Sequence, residues 1–539
     1  MKKLPFALPS FKSDKLKNLI PKSLPRFKLP SLGKGASPAK MPSLDKKGFP
    51  KKLVIILAAL LVIAGLAACG TYYWTGIKIE KQYREFIGRF SQYYGPEFKY
   101  SIDYDRGIFF STAKTTFAVP LSALPPLQGE KIRSTQHEKI SHGPFPLAGA
   151  ARGGSLLPSA MLAYIESTAV LDTKIGLPEA IDAIYSEIAG LLTTSSRTRF
   201  NFDRSVQTSI TNPAANKKLT INGKELEINW SGISGQSTIS PDMQISGTAE
   251  SPGLAMSFPE FSCKLTDIKS TVNLSPWSPG LAMGDISLSI GDINMHGQQD
   301  NAAKALSLTG LSITNKTSES GGSISSASTL SLSGFTVENT AYGPFHVEME
   351  LRNIDAGAVA KLQQAATAMQ TAETGDEQQL AMQLFGDLSA TLAELVKKSP
   401  ELEFKNLSIT TPDGDLSGSA KIAIDGSAGE IPLTNPDMLL SIFSAQAEIE
   451  VAERLLAKSA KSAVKTQLTS SREKNGLPPL PAGELDVQAA RQSRKQLQDL
   501  VSQQMLVKEG ELFRVGIQYE KGMVTVNGRP MPVQNFLGQ

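Results

Sequence analysis

Cysteine and histidine are nearly absent from this 539-residue chain, with two of the first and four of the second. Cys69 lies inside an uncharged run, and Cys263 sits in the alternating stretch Phe261-Ser-Cys-Lys-Leu265. No disulfide framework can be built from these two, so a packed core must hold the chain together, and Cys263 reads as a small buried hydrophobe. His137, His142, His296 and His346 stand apart without cysteine pairs. The step from His137 to His142 does not place both on one helix face, so no zinc or other metal site is expected and no cofactor is called for. Catalytic signatures are missing too: there is no Gly-x-Ser-x-Gly elbow, no Walker loop and no Gly-x-Gly-x-x-Gly. Ser-x-x-Lys occurs at Ser111–Lys114, Ser462–Lys465 and Ser471–Lys474, but without the Ser-Asp-Asn and Lys-Thr-Gly partners of the penicillin-binding pattern. Hydrolase, nucleotide and dinucleotide chemistries therefore lose their usual support.

Acidic residues are scarce at one end. Residues 1–52 carry 14 of the 55 Lys/Arg against only Asp14 and Asp45, leaving 41 basic against 49 acidic residues in the remainder. A split of this kind points to a basic tail facing an anionic surface and a mildly acidic main domain. The tail also holds eight prolines and the related pieces Leu8-Pro-Ser-Phe11, Leu29-Pro-Ser-Leu32 and Met41-Pro-Ser-Leu44. Proline at this density favours an extended, disordered segment. Contact with anionic lipid headgroups and a plain role in setting topology are both open for it. Nucleic acid is not expected, because no stacking aromatics or helical register accompany the lysines.

What is present in strength is one apolar segment. Leu53–Ile77 runs 25 residues without a charge, where about 20 span the hydrocarbon core of a bilayer. Lys46, Lys47, Lys51 and Lys52 flank its start, and Tyr72, Tyr73 and Trp74 its end. By the positive-inside rule the N-terminus is cytoplasmic and the rest is translocated. Leu66-Ala-Ala-Cys69-Gly70 also has the form of a bacterial lipobox, which would make Cys69 a lipidation site, although about 50 residues precede it where signal peptides have short basic leaders.

Past the membrane segment, Ile79, Tyr83, Phe86, Phe90 and Tyr93 recur at helical spacing. Phe98, Tyr100, Ile102 and Tyr104 then alternate as a strand that turns at Asp105-Arg106-Gly107 into a second strand, Ile108–Val119. Residues 155–195 have helical character, with Ile181, Ile184, Ile188 and Leu191 on one face. From 200 to 355 short alternating runs separated by Asn-Gly, Ser-Gly, Ser-Pro and Gly-Gly turns predict an antiparallel meander. Residues 356–510 read as mostly helical, with helices over 356–399 and Asn435–Gln467, a strand pair at Leu402–Thr410 and Leu416–Ile424, and a last helix bearing Leu497, Leu500 and Val501. A hairpin over 511–532 closes the chain. The class is α+β: a transmembrane helix, then a domain from 78 to 539 built on a large antiparallel sheet with flanking amphipathic helices.

Trp74-Thr-Gly76, Tyr104-Asp-Arg-Gly-Ile-Phe-Phe-Ser111, His142-Gly-Pro-Phe-Pro146, Leu351-Arg-Asn-Ile-Asp355 and Val524-Thr-Val-Asn-Gly-Arg-Pro-Met-Pro532 follow one another in an order that resembles the YdgA-like family of bacterial membrane-anchored proteins. The resemblance covers roughly 70–535 and implies an inner-membrane protein with a periplasmic domain whose biochemical role is not established in the family. The basic tail and the lipobox-like Leu66–Cys69 depart from the family pattern.

Arg106, a cation at a hairpin tip, is the one pointed binding candidate, and its plain alternative is a turn residue paired with Asp103 or Asp105. Phe145 and Phe345, in the two Gly-Pro-Phe units, are expected to anchor the sheet. The leading expectation is a non-enzymatic envelope protein whose sheet offers a surface or groove to an amphiphile, a polymer or a partner protein. An enzyme with residues assembled from distant strands is the rival, and the Ala/Gln/Leu-rich helices leave a homo-oligomer open.

Overall fold

The structure, a computed structural model, describes residues 51–94, 98–120, 131–146, 160–171, 189–221, 223–278, 281–299, 302–371, 391–428 and 441–531. The basic tail up to residue 50 lies outside them. The chain divides into two units, 1–63 and 64–539. In the first, 51–63 are helical. They open helix α1 (Lys51–Tyr94), which is unbroken over 44 residues. Within it Leu60–Ser91 is long and apolar enough to cross a membrane. Leu60–Leu66 are exposed on every side, whereas from Tyr72 onward one face is packed: Thr75, Gly76, Ile79, Tyr83 and Ile87 are buried. The period-3.6 stripe read from the sequence is thus the face that the domain covers.

Among the described residues the second unit is built on one antiparallel sheet of 24 strands. It begins as a meander of β1 (Lys99–Arg106), β2 (Phe110–Pro120), β3 (Lys131–His142), β4 (Ala163–Leu171), β5 (Thr194–Phe200) and β6 (Val206–Asn212). A hairpin of β7 (Ala215–Ile221) and β8 (Lys224–Trp230) follows, and β6 pairs onward with β9 (Ile233–Ile239). Four long strands come next, β10 (Ile245–Phe258), β11 (Phe261–Ser278), β12 (Leu281–Gln299) and β13 (Ala302–Ser320). They lead to β14 (Ser323–Leu332), a short hairpin β15 (Gly334–Val337) and β16 (Thr340–Tyr342), and β17 (Phe345–Asp355). After helix α2 (Ala356–Thr371) and a helical segment 391–397 come β18 (Glu401–Thr411), β19 (Gly414–Ile424) and β20 (Phe443–Ala452). Helices α3 (Glu453–Lys474) and α4 (Ala482–Ser502) precede β21 (Val507–Glu509), β22 (Leu512–Glu520), β23 (Met523–Val526) and β24 (Arg529–Met531).

The principal core lies where α1 crosses the first strands. Ile79, Tyr83 and Ile87 meet Ala113, Ile140, Ala163, Ile165, Phe200 and Val206. Each fully buried aliphatic side chain here contributes on the order of 2 kcal/mol.

Two helices read from the sequence are corrected. Residues 163–171 form strand β4, paired on both sides by β3 and β5, because Tyr164, Ile165, Thr168 and Val170 suit an extended, half-buried surface. The isoleucine face proposed for 181–188 lies outside the described residues. Asn435–Gln467 is not one helix: residues 443–452 form β20 and the helix starts only at Glu453. Alanine and glutamate are good helix formers, but Ala445, Ala447, Ile449 and Val451 alternate, and pairing with both β19 and β22 overrides propensity. The Phe145 expectation also fails, since that ring is 47% exposed, whereas Phe345 enters β17 between Leu332 and Ile409.

Candidate functional site

Strand alternation and register place the apolar residues of successive strands on one face. Across eight strands the same row reads Leu288, Ile313, Leu330, Val347, Leu407, Gly418, Ile449 and Val515, from β12 to β22. At about 4.8 Å per strand the row is roughly 34 Å wide. Parallel rows carry Met349, Phe404, Ala420, Ala447 and Ile517, and Leu351, Leu402, Ile422, Ala445 and Tyr519. A face this apolar would ordinarily be sealed. Here Ile286, Ile313, Ile422 and Ile449 keep between 36% and 47% of their surface exposed. The opposite face carries charge, centred on Arg352, which bonds Glu350, Glu401 and Glu403 at 2.6–3.0 Å.

At one end the apolar face is covered by α1, and two polar clusters are sealed beneath it. The Tyr83 hydroxyl donates to Glu138 Oε2 and lies 2.6 Å from Thr115 Oγ1. Thr115 donates to the same carboxylate at 3.3 Å. Burial pushes the Glu138 carboxyl up to about 7, against the opposing pull of the Tyr83 and Thr115 hydrogen bonds. In the second cluster Ser111 Oγ is 3.0 Å from His142 Nε2, and His142 Nδ1 is 3.2 Å from the Tyr72 carbonyl. The carbonyl can only accept, so Nδ1 carries the proton and Nε2 accepts from Ser111. Burial lowers the His142 pKa, which keeps the ring neutral and suits this tautomer. A serine bonded to a histidine invites comparison with nucleophilic catalysis. Ser111 and His142 are 2% and 0% exposed, however, and a carbonyl stands where an imidazolium would need a carboxylate. The pair clamps α1 to the sheet.

At the other end α3 and α4 overlie the last strands. Between them is a groove of about 780 Å³ lined by Ala457, Ala490, Leu497, Val501 and Phe513, with Lys458, Lys461, Arg494, Lys508 and Glu453 around it. On the charged face of β1 to β6 a second cavity of about 750 Å³ gathers Asp103, Asp105 and Glu166 with Lys114, Lys139, Arg197 and His137.

Arg106 is not part of that cavity. Its Nη1 is 3.0 Å from Glu80 of α1 and its guanidinium lies 5.4 Å from the centre of the Tyr73 ring. Its partner is therefore Glu80 of α1 and neither Asp103 nor Asp105. Cys69 is half-buried on the unbroken α1. His137 is exposed while His142 is sealed, and among the described residues no group of three His, Cys, Asp or Glu could hold a metal ion. A binding surface on the sheet was expected from sequence without the residues that form it, and the α3–α4 groove was not singled out. Leu497 and Val501 on one helical face were the available signal, and register supplied the rest.

Residues 51–534 match the profile of a family described as "Bacterial protein of unknown function (DUF945)". The chain is also 24% identical over 522 residues to "Protein YdgA" of Escherichia coli (strain K12), covering 90% of this chain and 96% of that one. No solved structure matches it. With the membrane-length helix, the strand order and nearly the whole chain within the match, the protein belongs to the DUF945 family.

Proposed function

We propose that this chain is a non-catalytic binding protein of the bacterial cell envelope, held in the inner membrane by α1 with its N-terminus cytoplasmic and its main domain periplasmic, and that its open sheet face takes up the acyl chains of an amphiphile. The observation that carries the reading is the row from Leu288 to Val515, apolar on eight adjacent strands yet incompletely buried. Hydrocarbon is the ligand such a face favours: it offers no hydrogen-bonding side chain along the row, and burial of apolar area supplies the affinity. The lysines before Leu53 and the aromatic residues after Gly70 support the orientation, and the basic tail would lie against anionic headgroups.

The test uses the full chain in nanodiscs with a fatty alcohol carrying a photoactivatable diazirine. Cross-linked peptides from β11 to β22 are expected, and Ile313→Asp and Ile449→Asp should each reduce them. Labelling confined to α1 would overturn the reading.

A further inference from the structure

An acyl-binding face leaves the polar end of its ligand unplaced. We propose that the groove between α3 and α4 holds the anionic headgroup of a lipid whose chain continues onto the sheet, an inference that rests on the acyl-binding reading above. The groove has the two chemistries such a ligand needs, side by side. Its floor is hydrocarbon, contributed by Leu497, Val501 and Phe513, and four cations stand around it against the single carboxylate of Glu453. That carboxylate is already occupied by Lys508 at 2.7 Å. Lys458 is held by Asp413 at 2.5 Å, and Lys461 reaches across the helix pair to Asp486 at 3.7 Å. Arg494 is exposed on α4 and has no ion-pair or hydrogen-bond partner among the described residues. An unpaired guanidinium beside a lysine is the donor set that a phosphate or carboxylate headgroup engages with two parallel hydrogen bonds.

The floor and the sheet face are one surface. Phe513 pairs with Val451 on β20, and the next inward residue of the same strand, Val515, pairs with Ile449 and ends the eight-strand row. Phe513 and Val451 are themselves buried, so a hydrocarbon chain continuing from the groove meets Val515 and Ile449 as the first open positions of that face, with no polar side chain of the face between them and Phe513. Neither a free anion nor a neutral amphiphile would use both halves, and this commits the site to an anionic lipid.

The experiment compares two diazirine probes of equal chain length, an alkyl phosphate and a fatty alcohol, on the full chain in nanodiscs of zwitterionic lipid. The alkyl phosphate is expected to label peptides within 453–513 as well as the sheet, and the alcohol the sheet alone. Removing two charge-assisted contacts with Arg494→Ala and Lys461→Ala should lower the groove labelling about tenfold or more. Arg494→Lys keeps the charge but loses the paired hydrogen bonds and should fall between wild type and Arg494→Ala, and unchanged labelling of the sheet by the alcohol would certify that the variants are folded. Sheet labelling by both probes with no groove labelling, or groove labelling indifferent to the double substitution, would overturn the headgroup site and leave the acyl face standing. Competition by inorganic phosphate as effective as by unlabelled alkyl phosphate would also overturn it. No sheet labelling by either probe would sink both.

Discussion

Tyr83 of α1 donates its hydroxyl proton to Glu138 of β3 at the centre of the principal core. This one contact ties the helix that leaves the apolar segment to the strand it crosses, and it makes the junction sensitive to pH. Glu138 titrates at about 7 in the folded chain against an ordinary 4.5. Its folded pKa is raised, so between those values the unfolded chain has lost a proton that the folded chain keeps. The Glu138 contribution to stability therefore falls as pH rises from about 4.5 to about 7 and is level above. The interval corresponds to roughly 3 kcal/mol. Glu138→Gln should flatten the profile over that window and leave the protein more stable than the wild type above it. Tyr83→Phe removes a hydrogen bond that favours the carboxylate and should extend the decline to higher pH. Tryptophan-monitored unfolding of the full chain at about pH 5 and about pH 8 reads both. Because the lowered pKa of His142 acts in the opposite direction over part of this window, the test is the difference between Glu138→Gln and wild type, and a difference that does not grow between these pH values would refute the assignment.

The second clamp predicts a coupling. A methyl group added at Gly76 would come within 2.6 Å of His142 Cε1, so α1 can approach the sheet this closely only because residue 76 has no side chain. Gly76→Ala alone should destabilise by roughly 1–3 kcal/mol, as overpacking does in other cores. His142→Ala alone should destabilise by a similar amount, because it leaves a void and an unpartnered Ser111 hydroxyl. Together they should cost less than their sum, the added methyl occupying space the imidazole has vacated. A double-mutant cycle measures the coupling, and strict additivity would mean the two residues do not meet.

How much of this was legible beforehand depended on distance along the chain. The first hairpin could be read because Phe98, Tyr100, Ile102 and Tyr104 alternate and Gly107 closes the turn, all within a few residues. Strand β20 could not, because Ala445, Ala447, Glu448 and Glu450 suit a helix and only the pairing to β22, some seventy residues on, decides otherwise. The same holds for the site. Each strand displayed its own apolar alternation, but the matching of Val347 with Leu407 and of Ile449 with Val515 is a matter of register between distant segments. Arg106 was visible as a hairpin-tip cation, while its partner Glu80 lies 26 residues earlier on a helix. Glu138 gave no warning, because alternation alone does not say which face a polar residue of His137-Glu-Lys-Ile140 will join.

Arg106 itself permits a separation of roles. Its ion pair with Glu80 is partly solvated, with side chains 32% and 23% exposed. Such a pair is worth about 0.5–1 kcal/mol and weakens with salt. Arg106→Ala should lower stability by that amount, with most of the loss absent in a Glu80→Ala background, and should leave amphiphile labelling of the sheet unchanged. A loss of labelling with stability intact would instead make Arg106 a binding residue.

Cys69 decides what the segment before it is. The helix passes through Cys69 without a break and is committed to the sheet from Tyr72, one turn later. An uncleaved anchor keeps the apolar residues before Cys69 on the same helix that packs at Ile79 and Tyr83, whereas cleavage and lipidation at Cys69 would leave only a short helical stub between the lipid and that core. The first case predicts a full-length mass, unaltered in kind by Cys69→Ala, with the domain digestible by protease added to spheroplasts and the basic tail protected. The second predicts a mass that begins at a lipid-modified Cys69 and reverts to the unprocessed chain on substitution. Intact-mass measurement of the membrane fraction separates them. A processed product would remove the basic tail from the mature protein and, with it, the proposed contact between that tail and anionic headgroups, while leaving the acyl face and the α3–α4 groove to be judged on their own labelling.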